Sequence, residues 1–196
     1  NYIVVTGGSA GGHLSAMVGL TPNDPQFQPG FEDVDTRVRA MVPFYGIFDF
    51  RDRFGIRGRR DPLRKGLERM IVKRTRDEAP DVFDAASPMS HITRDAPPAL
   101  IVHGTLDRLA PVEEAREFVR MMREVSDSPV VYAELRGAHH AFEIFHSIRE
   151  LHTVAGVDQF LAWVLSVDPP AARASHAAGG LGTEMIDQTT TAHTAP

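Results

Sequence analysis

A serine set among glycines between an apolar run and a helical pattern constrains this chain most. Tyr2-Ile3-Val4-Val5 is short, apolar and rich in β-branched residues. It runs into Thr6-Gly7-Gly8-Ser9-Ala10-Gly11-Gly12, after which His13-Leu14-Ser15-Ala16-Met17-Val18-Gly19-Leu20 takes up helical spacing. That order predicts a buried strand, a very tight turn and a helix. A turn this sharp strains the backbone of its central residue and pushes the Ser9 hydroxyl outward. Its neighbours must be small, because side chains there would strike the strand or the helix. Ser9 also falls at a helix N-terminus, where backbone N–H groups and the helix dipole favour negative charge.

Glycine-rich turns after strands have other uses. The stretch Thr6 to His13 approaches the T-G-x-x-x-G-x-G of short-chain dehydrogenases, but the last glycine is replaced by His13. No frame gives G-x-G-x-x-G, and no Tyr-x-x-x-Lys is present: Asp49 follows Tyr45 at that spacing, and Arg136 follows Tyr132. No Lys-Ser or Lys-Thr follows the glycines, which excludes a phosphate-binding P-loop. A nucleophile elbow, a purely structural turn and a nucleotide-binding loop remain open on the motif alone, the last disfavoured by the glycine spacing.

The chain has 196 residues, enough for one domain with a core, and its net charge of −5 gives no general reason to bind nucleic acid. It lacks cysteine, so disulfides and thiolate metal sites are excluded. No run nears the roughly 18 apolar residues of a membrane span. The first residue is Asn1, inside or just before a buried strand, and from this we expect a fragment whose upstream portion is missing. Localisation, cytoplasmic or cell-envelope associated, stays open for the same reason.

Downstream, three prolines and a glycine between Pro22 and Gly30 mark a loop. Val38 to Gly46 reads as a second strand, weakened by Pro43. Between Arg51 and Arg76 there are eleven Lys or Arg against three Asp or Glu. Leu63, Leu67, Met70 and Ile71 lie there at helical spacing, so residues 48–86 are expected to hold a cap-like helical insertion. Its basic face reads either as a solvated surface or as a contact for anionic substrates or a lipid surface. Pro98 to Gly104 is a third strand, Val112 to Val125 an amphipathic helix, and Val130 to Leu135 a fourth strand. Glu113 and Glu114 in the first turn of that helix complement its dipole. A last helix spans roughly Glu143 to Leu165, with Val154, Val157, Phe160, Leu161, Val164 and Leu165 facing inward. Residues 168–196 are rich in Pro, Ala, Gly and Thr without periodicity and are expected to be a disordered tail.

Strands alternating with helices imply a parallel sheet, about four strands here, with catalytic groups at the strands' carboxyl ends. Ser9, Asp107 and His140 each lie just past such an end. Serine is a poor nucleophile unless a base takes its proton, and the base needs a carboxylate to hold its tautomer. The order Ser9, Asp107, His140 is that of the α/β-hydrolase fold. The N–H of Ala10 would supply one oxyanion-hole donor. Rivals remain: Asp107 as a helix cap, Asp49 as the carboxylate and His139 as the base. His13 and His103 read as structural. His146 and His152 show no metal-ligand spacing.

Several stretches together resemble the hormone-sensitive-lipase-like and bacterial carboxylesterases. They are Gly7-Gly8-Ser9-Ala10-Gly11-Gly12-His13-Leu14, Phe44-Tyr45-Gly46, Ser87-Pro88, His103-Gly104-x-x-Asp107-x-x-x-Pro111-Val112 and Gly137-Ala138-His139-His140-Ala141-Phe142. The likeness covers about residues 2 to 166 and implies that residues 1–167 are the C-terminal part of an α/β-hydrolase catalytic domain. It implies Asp107 as the acid and His140, directly before Ala-Phe, as the base. It implies no cofactor and no metal, and a small-molecule ester substrate. The family's His-Gly-Gly oxyanion motif and first strands are absent, so these residues alone are expected to be aggregation-prone and nearly inactive. The expected activity is hydrolysis of short- to medium-chain carboxylic esters through an acyl-enzyme on Ser9. An amide-cleaving hydrolase of formamidase or peptidase type, or an impaired fragment acting only as a binding module, is the alternative.

Overall fold

The computed structural model describes residues 2–58 and 61–167. The expected tail at 168–196 lies outside the described residues. Four strands run in parallel in the order β1 (Val4–Gly8), β2 (Ala40–Phe44), β3 (Ala99–Gly104) and β4 (Val130–Leu135). Among the described residues β1 pairs only with β2. Alternation along the strands sends side chains to two faces. Met41, Ala99 and Ile101 face α1 (Ala10–Leu20) and α4 (Val112–Val125), through Ala16, Leu20, Ala115, Phe118 and Met122. Ala40, Val42, Leu100 and Val102 face α5 (Ile148–Ser166), through Phe160 and Val164. With both faces covered, β2 and β3 read as near-continuous apolar runs.

The element boundaries differ from the sequence expectation at the glycines, and β2 is shorter than the expected Val38 to Gly46. β1 begins at Val4 and keeps Gly7 and Gly8 in the ladder, paired with Pro43 and Phe44, while Tyr2 and Ile3 are exposed. The turn is thereby reduced to Ser9, and α1 starts at Ala10 rather than His13. Pro43 sits inside β2, between two neighbours. Met41 donates to the Pro98 carbonyl and Tyr45 to the Val102 carbonyl. The intervening donor would fall at Pro43, which has none, and the β2–β3 pairing is interrupted there.

The basic insertion is built differently from a solvated helix. α2 (Pro62–Gly66) passes into one π-helical turn, Leu67–Ile71, and α3 (Pro80–Ala85) follows. Leu63 and Leu67 pack with Ile47, Phe50 and Phe83. The wider π turn takes the next residues off that face, so Met70 and Ile71 are exposed. Arg57 and Arg76 are buried rather than solvent-facing. The Arg57 Nε donates to Glu114 Oε2 at 2.7 Å, and Arg57 Nη1 to Asp61 and to the Leu109 carbonyl. Arg76 lies 3.2 Å from Asp52 and over the Phe83 ring. Glu114, expected to serve the dipole of α4, is instead buried and also accepts the N–H groups of Phe48 and Asp49. The insertion is thus tied to the sheet-covering helix α4 by a buried ion pair.

On α5, Val157, Phe160, Leu161 and Val164 meet the sheet, but Val154 and Leu165 are exposed, contrary to expectation. A single stripe of this helix is in contact with the strands, and those two residues lie off it.

Removing Glu114 leaves the buried Arg57 guanidinium with Asp61 as its remaining carboxylate partner and strips the acceptor from the buried N–H groups of Phe48 and Asp49. Glu114→Ala should therefore lower stability by about 3–5 kcal/mol, read as a drop in the urea midpoint. A change below about 1 kcal/mol would show that Arg57 finds other compensation.

Candidate active site

The elbow is held by close contact within the Gly-x-Ser-x-Gly motif. A Cβ at Gly7 would lie 2.6 Å from the backbone of Gly11, and one at Gly12 would lie 2.4 Å from the Phe44 carbonyl, so Gly7 and Gly12 are what let the strands and the helix meet, whereas a Cβ at Gly11 would meet nothing. Ser9 takes φ 57° and ψ −116°, a conformation L-residues adopt at a cost. Its N–H donates to the Phe44 carbonyl at 3.0 Å, its carbonyl accepts from His13, and its side chain does not cap α1. The hydroxyl is left free to face the strand ends. Ala10 is the first residue of α1, so its N–H is among those that have no acceptor within the helix.

Asp107 comes from the loop after β3. Its Oδ1 accepts the N–H groups of Leu109 and Ala110 at 2.9 and 2.8 Å, in a local turn ahead of α4, whose own N-cap is Pro111. Asp107 therefore does not cap that helix. The loop after β4 is pinned alongside, where the Leu106 N–H meets the Ala138 carbonyl at 2.9 Å and the Gly137 N–H meets the Thr105 hydroxyl at 2.8 Å. These bonds bring His140 over Asp107. His140 Nδ1 lies 2.7 Å from Asp107 Oδ2, and His140 Nε2 lies 2.9 Å from Ser9 Oγ. Residues 131 positions apart are thus joined in one hydrogen-bonded line.

The charge on Asp107 decides the tautomer. Burial works against its ionised form, but hydrogen bonds from His103, Ala110, His140 and Leu109 outweigh burial and hold the carboxyl down to about 2. As an anion it only accepts, so Nδ1 of His140 carries the proton. Nε2 then presents its lone pair to the Ser9 hydroxyl.

The rivals are occupied elsewhere. His139 turns its Nδ1 to the Leu106 carbonyl at 3.2 Å. Asp49 is buried within the insertion, where it accepts from the N–H groups of Arg51 and Arg53 and from the Arg53 guanidinium. His13 is stacked on Phe50 and bonded to the Ile47 carbonyl, with burial lowering its pKa against the pull of that bond. His146 and His152 lie at and on α5, exposed and apart from Ser9. The sequence did not reveal one contact of His103. It is buried in β3, and its Nε2 lies 2.8 Å from the Ala110 carbonyl and 3.5 Å from Asp107 Oδ2. The only signal for it was its place four residues before Asp107.

Comparison with known proteins places the chain in a family. Residues 1–122 match the family model BD-FAE. The chain belongs to the BD-FAE family. This is an α/β-hydrolase family, and the agreement extends to the carboxylesterase resemblance seen in the sequence. The chain is 53% identical over 165 residues to the probable carboxylic ester hydrolase LipM of Mycobacterium tuberculosis, covering 84% of this chain and 38% of that protein. It is 48% identical over 162 residues to esterase LipC of the same organism, covering 82% and 40%. The chain spans about two fifths of the length of the curated relatives it matches. Among solved structures, the propionate-bound Est2 esterase of Thermogutta terrifontis superposes with a TM-score of 0.65 at 27% identity, over 85% of this chain and 57% of that one.

The depressed Asp107 carboxyl makes a pH prediction. Its contribution to stability is fully present above its unfolded value of 3.8 and is lost as pH falls through about 2. The difference in melting temperature between the wild type and Asp107→Asn should hold steady above about pH 4 and shrink towards pH 2. A difference that does not change across that window would contradict the hydrogen-bonded anion.

Proposed function

We propose that this BD-FAE member is the catalytic part of a serine carboxylesterase acting on short- to medium-chain carboxylic esters. The line Asp107–His140–Ser9 carries the proposal. Ser9 Oγ attacks the ester carbonyl while His140 Nε2 takes its proton. The tetrahedral oxyanion develops at the N-terminus of α1, where the Ala10 N–H and the helix dipole stabilise it. His140 returns the proton to the departing alcohol, leaving an acyl group on Ser9. Water, deprotonated by the same imidazole, releases the acid. Asp107 holds the ring and balances the imidazolium at each stage.

The names of LipM and LipC support ester hydrolysis, and propionate bound to Est2 supports a short acyl group. Within residues 51–76, buried Arg57 ties the segment to Glu114 of α4 and buried Arg76 meets Asp52, while Lys65, Arg69, Lys73 and Arg74 are exposed beside Met70 and Ile71.

Hydrolysis of p-nitrophenyl acetate and butyrate by the full-length protein tests this reading. Ser9→Ala should lower kcat by about a thousandfold or more with the fold intact. Turnover of esters that survives the substitution would overturn it.

A further inference from the structure

Tyr45 stands out among residues the mechanism has not used. It follows β2 directly, is only 2% exposed, and takes φ 34°, a left-handed backbone conformation that bulky residues rarely adopt. Strain of this kind persists only where surrounding contacts enforce it, and such residues cluster at functional sites. The enforcing bond is visible in the Tyr45 N–H, which donates to the Val102 carbonyl at 2.8 Å.

The result of that conformation is a ring set against the catalytic base. The Tyr45 and His140 centroids are 4.6 Å apart with the planes tilted by 59°, and Phe142 closes on the tyrosine ring from 6.0 Å. The far end of the ring is tethered. The Tyr45 hydroxyl donates to Glu143 Oε1, and both groups lie over Gly8, the residue before the nucleophile. A Cβ at Gly8 would come within 2.5 Å of the Tyr45 hydroxyl and 3.1 Å of the Glu143 carboxylate. The glycine at this position therefore makes room for the tether. Ala141, at φ 57°, supplies the turn after His140 that brings Glu143 back to meet Tyr45. Three departures from ordinary backbone or side-chain choice, at Gly8, Tyr45 and Ala141, converge on one contact.

We propose that Tyr45, tethered by Glu143, is a positioning residue for His140, fixing the imidazole face so that Nε2 stays aligned with Ser9 Oγ. Neither residue exchanges a proton with substrate. Asp107 fixes the ring's tautomer and one edge, whereas Tyr45 restricts its tilt. This role rests on the esterase reading of the same site.

The test is steady-state ester hydrolysis and fluorophosphonate labelling of Ser9 in the full-length protein. Tyr45→Phe keeps the ring and loses the tether, and kcat should fall about fivefold, the equivalent of one lost hydrogen bond, with KM within about twofold. Tyr45→Leu removes the aromatic ring packed against the imidazole, and kcat should fall about a hundredfold, as displaced catalytic groups do. Glu143→Ala should match Tyr45→Phe, Glu143→Gln should recover most of that loss, and the double variant should be no worse than either single one. Labelling rates should follow kcat. Unchanged kcat and labelling in Tyr45→Phe, losses that multiply in the double variant, or changes confined to KM would each overturn the proposal. Should Tyr45→Leu fail to fold, the Tyr45→Phe and Glu143 series decides alone. Wild-type protein without Ser9-dependent turnover would instead sink the esterase reading, and this role with it.

Discussion

The structure depends on a single strained residue held in place by its surroundings. Ser9 occupies a backbone conformation unfavourable to any L-residue, and three contacts keep it there. Gly7 packs without a side chain against the backbone of Gly11, the Ser9 N–H is bonded to the Phe44 carbonyl at the end of β2, and α1 begins at once at Ala10. The parallel sheet brings the ends of β2, β3 and β4 to the same side as this turn. That is why residues over a hundred positions apart fall within hydrogen-bond reach. The relation is cooperative: sheet register fixes where the loops begin, the loops pin each other, and the imidazole bridges them to the serine.

Much of this was legible from residue order. Short apolar runs alternating with a helical spacing give a parallel sheet, and Ser9, Asp107 and His140 each follow a strand. The boundaries were less legible, because glycine was read by its usual preference. Gly7 and Gly8 lie within β1, where a turn was expected, because tertiary packing outweighs local propensity once the strands are paired on the core. The insertion was harder still. Arg57 and Arg76, set among eleven basic residues in a short stretch, look solvated until their partners are known, and Glu114, a partner of Arg57, is 57 residues away. Sequence patterns report periodicity, but they do not report which carboxylate a buried arginine will meet.

The same limit applied around the base. Phe44-Tyr45-Gly46 was visible as part of a family pattern, yet nothing local showed that the Tyr45 ring meets His140 or that its hydroxyl meets Glu143. These contacts arise from two left-handed residues, Tyr45 and Ala141, whose conformations are set by the fold rather than by their types. Three of the six described non-glycine residues with positive φ, Ser9, Tyr45 and Ala141, lie at the site, while Asn23, Asp52 and Lys73 lie elsewhere.

The central claim is that the His140–Asp107 pair activates Ser9, and it is tested most directly by locating and timing covalent modification. The full-length protein would be treated with a fluorophosphonate, the adduct mapped by mass spectrometry, and the rate compared with that of His140→Ala. The account predicts one adduct, on Ser9, forming at least about a hundredfold more slowly without the imidazole. Equal rates in the two proteins, or an adduct on another residue, would contradict it.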